Sequence, residues 1–254
     1  MLNIKDFLAR IGLAGTEPEC TPAFLAKVQE ACVLSIPYEN LDILAGKPLS
    51  LDAEDVYKKV VSGHRGGYCF ELNALLHYIL TDMGFSVRSC FARVLREEPE
   101  VPFRRHRILI VSLDGCEYLV DIGFGNTAPR LPLKLVCGEV QEQNGESYRF
   151  EKDENLGWVI RELHKGQWRE YISFTTEHQY DIDFVPTSFW CEKHPDSPFN
   201  KSEMVAIKVP GGRKALNGRD YKVFADGELV SIEENVSDAR LSEILDTEFG
   251  LRGF

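Results

Sequence analysis

Apolar residues recur at helical spacing over the first third of the chain and at shorter, strand-like spacing over most of the rest. Ile4, Phe7, Leu8 and Ile11 fall on one helix face. Thr21 followed by Pro22 predicts a capped helix start with proline at the first helical position, and Phe24, Leu25, Val28 and Cys32 carry its apolar stripe. Pro37, in SIPYENLD, cannot continue that helix. LDAEDVYKKVVSG predicts another, ending at Gly63. After Arg65-Gly66-Gly67-Tyr68-Cys69, the residues Leu72, Leu75, Leu76, Ile79 and Leu80 again repeat at helical spacing, and Gly84 suits the position just past a helix end. Cys69 therefore falls at or near the N-terminus of a buried helix.

From about residue 91 to residue 209 the pattern changes to short β-rich runs: FARVL, HRILIVSL, EYLVDIGF, SYRFEK, GWVIREL and QWREYISF. Gly, Asp-Gly and Asn-Gly punctuate them, which predicts hairpins and an antiparallel sheet or barrel. MVAIKVP, RDYKVFAD and ELVSIEE read as further strands, and SDARLSEILDTEFG as a last helix capped by Ser237. Without repeats or low-complexity linkers, the chain reads as one compact α+β unit with three regions.

Composition narrows the function. The net charge of −11 over 254 residues disfavours nucleic acid and anionic membranes as general partners, and an anionic cofactor would need a local basic patch. No apolar run is long enough to span a membrane, and the N-terminus lacks the pattern of an export signal. The seven cysteines are scattered with no CxxC pair, so reduced thiols in the cytoplasm are expected, and no metal site. Six of the seven read as small hydrophobes in or near the core.

Two segments carry chemistry. A cysteine at a helix N-terminus feels a partial positive charge that favours its thiolate, and the two preceding glycines allow a tight turn. A buried cysteine merely beginning a core helix is the other reading of the same segment. The second segment is the hairpin predicted around Asp114-Gly115. Pairing Leu113 with Cys116 sets Ile108 opposite Asp121 and His106 opposite Gly123. His106 and Asp121 are then diagonal neighbours on one face, about 7 Å apart at the backbone and within reach of a hydrogen bond. A one-residue slip would separate them. Such a carboxylate holds an imidazole in the tautomer that can take a thiol proton, although a purely structural Asp–His pair has the same pattern. His64, His77, His164, His178 and His194 have no comparable partner, and His77 reads as a plain helix residue. The sequence alone does not bring Cys69 to His106.

At this point the chain resembles the arylamine N-acetyltransferases, of the bacterial type, over nearly its whole length. RGGYCFELN is similar to the nucleophile motif, with Cys69 as the residue that becomes acetylated. HRILIV and YLVDIGFG resemble the segments bearing the histidine, His106, and the aspartate, Asp121. IPYENLD resembles the N-terminal signature, where Glu39 would pair with Arg65 beneath the nucleophile; CEKHPDSPF, GRKALNG and EFGL resemble later segments. The resemblance implies a helical bundle over 1–88, a β-barrel over 89–205 and an α/β lid over 206–254, around a cysteine-protease-like thiol core. It implies ping-pong acetyl transfer from acetyl-CoA to an arylamine, arylhydrazine or N-hydroxyarylamine, with His106 as base. Phe124 would line the aryl slot, with Tyr38, Phe70 and Phe189 as further candidates. The CoA phosphates would meet Arg104, Arg105 and Arg107 beside the histidine, Arg213, Lys214 and Arg219 in the glycine-rich GGRKALNG run, and backbone N–H groups near Gly125 and Gly212. Asn126 replaces a second glycine common in the family, and Tyr38 a frequent phenylalanine, so a hydroxyl is expected in the slot. The protein is expected to be a monomer or weak homodimer. A related macrolactam-forming amide synthase, a thioester hydrolase and a non-catalytic binding protein are the competing functions.

Overall fold

The computed structural model describes residues 2–96 and 98–252, and of Asn126 the backbone only. The N-terminal helices form where the apolar spacing predicts them. Helix α1 spans Ile4–Arg10, with Asn3 as its cap, and α2 spans Pro22–Ser35, where the Thr21 hydroxyl accepts from the Phe24 N–H at 3.2 Å. A two-residue strand, β1 (Tyr38–Glu39), follows the break at Pro37. Two short helices come next, α3 (Leu41–Leu44) and α4 (Ala53–Tyr57), and a π-helical turn over Lys58–Ser62 ends at Gly63. Helix α5 (Cys69–Asp82) is buried almost all round, from Leu72 to Leu80.

Among the described residues, eight antiparallel strands curl into a nearly closed barrel. They are β2 (Ser86–Val94), β3 (His106–Leu113), β4 (Cys116–Val120), β5 (Leu133–Lys134), β6 (Val140–Gln143), β7 (Glu146–Asp153), β8 (Gly157–His164) and β9 (Gln167–Phe174), in the order β5-β4-β3-β2-β9-β8-β7-β6. Helix α6 (Asp181–Lys193) then interrupts a stretch read above as β-rich, with Pro186 inside it. Strands β10 (Met204–Val209), β11 (Gly212–Asn217), β12 (Asp220–Ala225) and β13 (Glu228–Glu233) form a second sheet, covered by helix α7 (Asp238–Phe249). The sheet takes β1 as its other edge, through Tyr38 opposite Ala206 and Glu39 opposite Val205. A residue pair from the helical region thus completes the C-terminal sheet, and the site lies where bundle, barrel and sheet meet.

The hairpin register is the predicted one, running from Leu113 opposite Cys116 to Leu109 opposite Val120. The ladder stops there, whereas the apolar pattern of EYLVDIGF extends to Phe124. The Ile122 N–H donates to Asn73 Oδ1 at 3.1 Å and the Gly123 N–H to Asp121 Oδ1 at 2.8 Å, so side chains satisfy the backbone that would otherwise have continued the strand.

The cysteine reading needs two corrections. Cys32, Cys69, Cys90 and Cys191 are buried, but Cys20 and Cys137 are exposed and so are not core hydrophobes. Within GGRKALNG, Gly212–Asn217 form strand β11, whose residues pair on both sides with β10 and β12. No described helix is long and apolar enough to cross a membrane.

Candidate active site

Cys69 is the first residue of α5, held from two directions. Behind it, the N–H of Tyr68 donates to the Glu71 carboxylate at 3.2 Å, and the Tyr68 hydroxyl forms a short bond with Ser188 on α6. Below it, Arg65 Nη2 meets Glu39 Oε1 at 2.7 Å and Asp42 Oδ1 at 3.1 Å, while Lys59 Nζ meets Glu71 at 2.8 Å and Asp42 at 2.9 Å. The Glu39–Arg65 pair therefore belongs to a larger buried network beside the segment that carries Cys69. Lys59, Arg65 and Lys47 together hold the Asp42 carboxyl at about 2 against the opposing effect of burial. Gly66 has to be glycine, since a Cβ there would lie 2.1 Å from the Pro37 carbonyl oxygen.

His106 opens β3 and Asp121 follows β4, so the hairpin register carries one to the other. The His106 Nε2–H donates to Asp121 Oδ2 at 2.6 Å, and the two side chains are 4% and 0% exposed. The other ring nitrogen, Nδ1, is left outside that bond. Asp121 Oδ1 accepts from Gly123 N–H and from Asn73 Nδ2 at 2.9 Å, and the same Asn73 amide donates to the Arg107 carbonyl at 2.6 Å. Asn73 lies one helical turn after Cys69, on the same face of α5. It is the site-facing residue that the sequence reading did not single out. Its one signal in the sequence is a polar amide four residues after the cysteine, on the face that carries Leu72, Leu76 and Leu80.

Cys69 and His106 line one cavity of about 240 Å³ together with Tyr38, Arg105, Phe124 and Phe199. Gly123 lets the chain after β4 approach Cys69, since a Cβ there would come within 2.6 Å of Cys69 Cα. Burial pushes the Cys69 thiol well up, with Cys191 and Asp121 adding, while backbone N–H groups of Arg107 and Phe70 pull it down. Lost hydration therefore opposes the field of the helix N-terminus, which favours the thiolate.

The predicted aryl-slot residues divide. Phe124 stands edge-on to the His106 ring, with centroids 4.8 Å apart, and Tyr38 lies in the cavity wall. Phe70 is fully buried in the core behind the site, against Tyr68 and Phe184, and Phe189 is 62% exposed on α6; neither lines the cavity. Among the basic residues, Arg105 lines the cavity and pairs with Glu98, whereas Arg104 is part-exposed two residues before the histidine. Arg107 does not reach the mouth. Its guanidinium is fully buried, bonded to Ser89 and Asp181. Arg213 lies 4.0 Å over the Phe224 ring, Lys214 binds Glu248, and Arg219 pairs with Asp238. Gly125 begins a 3-10 turn against Tyr38.

A helix-borne thiol and a carboxylate-held imidazole sharing one apolar slot, on this α+β frame, fit the class of the N-acetyltransferases, and a family profile of that description matches residues 23–252. The arylamine N-acetyltransferase of Mycolicibacterium smegmatis is 34% identical over 98% of this chain and 92% of its own length. The solved arylamine N-acetyltransferase of Salmonella typhimurium superposes with a TM-score of 0.92 at 30% identity, covering 98% of this chain and 90% of that one. The Mycobacterium marinum enzyme, solved in complex with CoA, superposes at 0.90 with 32% identity, over 98% and 93% of the two chains. The chain belongs to the arylamine N-acetyltransferase family.

Proposed function

We propose that this protein transfers an acetyl group from acetyl-CoA, through a thioester on Cys69, to arylamines, arylhydrazines or N-hydroxyarylamines. The observation that carries the reading is the 2.6 Å bond from His106 Nε2–H to Asp121, in the cavity wall shared with Cys69. It fixes the tautomer whose Nδ1 can accept a proton. His106 takes the Cys69 proton as the sulfur attacks the thioester carbonyl. The tetrahedral intermediate collapses with loss of CoA thiolate, which His106 reprotonates. The aryl amine then attacks the acetyl-cysteine, His106 accepts its proton, and the regenerated thiolate recovers it. Thioester exchange is nearly balanced, so the chemistry asks chiefly for a thiol ionised at the moment of attack, which suits a buried thiol beside a held base.

Phe124 and Tyr38 form the aryl slot in this account, and Glu39 with Arg65 supports the nucleophile from below. For the CoA phosphates, the relative solved with CoA supports a CoA site on this fold, and we propose Arg104, Gly125 and Arg213 for the contacts. Seven free thiols suit a cytoplasmic protein. The test is CoA release without amine. One equivalent per protein followed by a halt, resumed on adding an arylamine, is the expected result. Continuous release would identify a hydrolase.

A further inference from the structure

The hydroxyl of Tyr38 is a polar group in the cavity that the mechanism leaves unused. Its backbone is fixed from both sides, by pairing with Ala206 and by a bridge to Gly67, so the side chain leaves the strand in a set direction. The ring lies against Gly125, where an added Cβ would come 3.5 Å from Cγ and Cδ1. Tyr38 lines the same cavity as Cys69, His106 and Arg105. Burial above all, and then the Cys69 and Cys191 thiols, hold its hydroxyl well above the usual phenol range, so it remains a donor at working pH. Neighbouring tyrosines are committed: Tyr68 to Ser188, and Tyr171 to the Thr127 carbonyl at 3.0 Å. Among the described residues, the Tyr38 hydroxyl has no hydrogen-bond partner.

We propose that the Tyr38 hydroxyl is a specificity-determining donor of the acceptor slot, which selects aryl amines and hydrazines bearing a neutral hydrogen-bond acceptor, such as a ring-attached carbonyl, over their alkyl counterparts. An alkyl group of the same shape leaves the hydroxyl unpaired in a largely apolar cavity, and a site built to hydrogen-bond its substrate rejects such analogues. The inference rests on the acetyl-transfer reading above.

The test compares wild type with Tyr38→Phe, using aminoacetophenone and ethylaniline, para and meta isomers alike. The two amines have nearly the same shape, and their different nucleophilicities cancel in the variant-to-wild-type ratio. At the preferred isomer, kcat/KM for the acetyl compound is expected to fall about tenfold, mainly through KM, while the ethyl compound changes by less than about threefold. Acetylation of Cys69 by acetyl-CoA alone is followed in both proteins and is expected to lose less than the acetyl compound does. Equal losses for the pair, or no loss, overturn the proposal. A loss of Cys69 acetylation as large as that for the acetyl compound overturns it too, by assigning the hydroxyl to the first half-reaction. If neither protein acetylates Cys69, the acetyl-transfer reading itself has failed, and this one falls with it.

Discussion

Asn73 donates one amide group to both the Asp121 carboxylate, at 2.9 Å, and the Arg107 carbonyl, at 2.6 Å. The helix that begins with Cys69 thereby grips the strand pair that carries His106 and Asp121. Removing that amide leaves a buried carboxylate with one donor fewer and a buried carbonyl unsatisfied. Asn73→Ala should lose about 1–3 kcal/mol of stability in urea unfolding and about tenfold or more in the rate of Cys69 acetylation. An unchanged acetylation rate would reduce Asn73 to a packing residue.

Asp121→Asn should keep the fold and lose the tautomer. An amide can offer an N–H to Nε2, which reverses the proton pattern and leaves Nδ1–H facing away from its task as base. The rate of Cys69 acetylation should drop about 10²–10⁴-fold with little change in the melting temperature. A loss below tenfold would show that the carboxylate is structural only.

The network under Cys69 should be sensitive to one-sided cuts. Glu39 is buried, accepts from the Leu41 N–H at 2.7 Å and pairs with Arg65 at 2.7 Å, while Lys59 lies at 4.0 Å. Arg65→Met should cost about 3 kcal/mol or more, because it strands a buried carboxylate. Urea unfolding of the variant checks it, and a loss under 1 kcal/mol would mean that Lys59 takes over the pairing.

His77 gives a pH signature away from the reaction. Its imidazole, 3.2 Å from the Ser89 hydroxyl, is held down to about 4, first by burial and then by Arg107, with Asp181 opposing and His178 adding. Between pH 4 and the ordinary histidine value near 6.5, the unfolded chain binds a proton that the folded protein does not. This residue's contribution is therefore present above about pH 6.5 and is lost as the pH falls toward 4, with a slope approaching about 1.4 kcal/mol per unit. Comparing urea unfolding of wild type and His77→Gln across that window should show the slope flattened in the variant.

What the sequence disclosed follows the range of the interactions. The Asp114-Gly115 turn and its apolar flanks fix a local register, so the His106–Asp121 contact was legible in the amino-acid pattern itself. The caps at Thr21 and Ser237 were legible for the same reason, since a side chain satisfies a backbone group three residues away. Helix α6 was hidden because Pro186 and a run of acidic and aromatic residues break the apolar period, and its face toward Tyr68 is set by tertiary contact. The burial of Arg107 was equally invisible. An arginine beside His106 reads as a surface charge until Asp181, 74 residues on, is found against it. The meeting of Cys69 with His106 is also long-range, and the family resemblance alone anticipated it.

The most direct test of the account is mass spectrometry of the protein after brief exposure to acetyl-CoA without amine. One acetyl group is predicted, on the Cys69 peptide alone, and it should leave when an arylamine is added and appear as the N-acetyl product. An acetyl group on another residue, or arylamine acetylation that survives in Cys69→Ser, would contradict it.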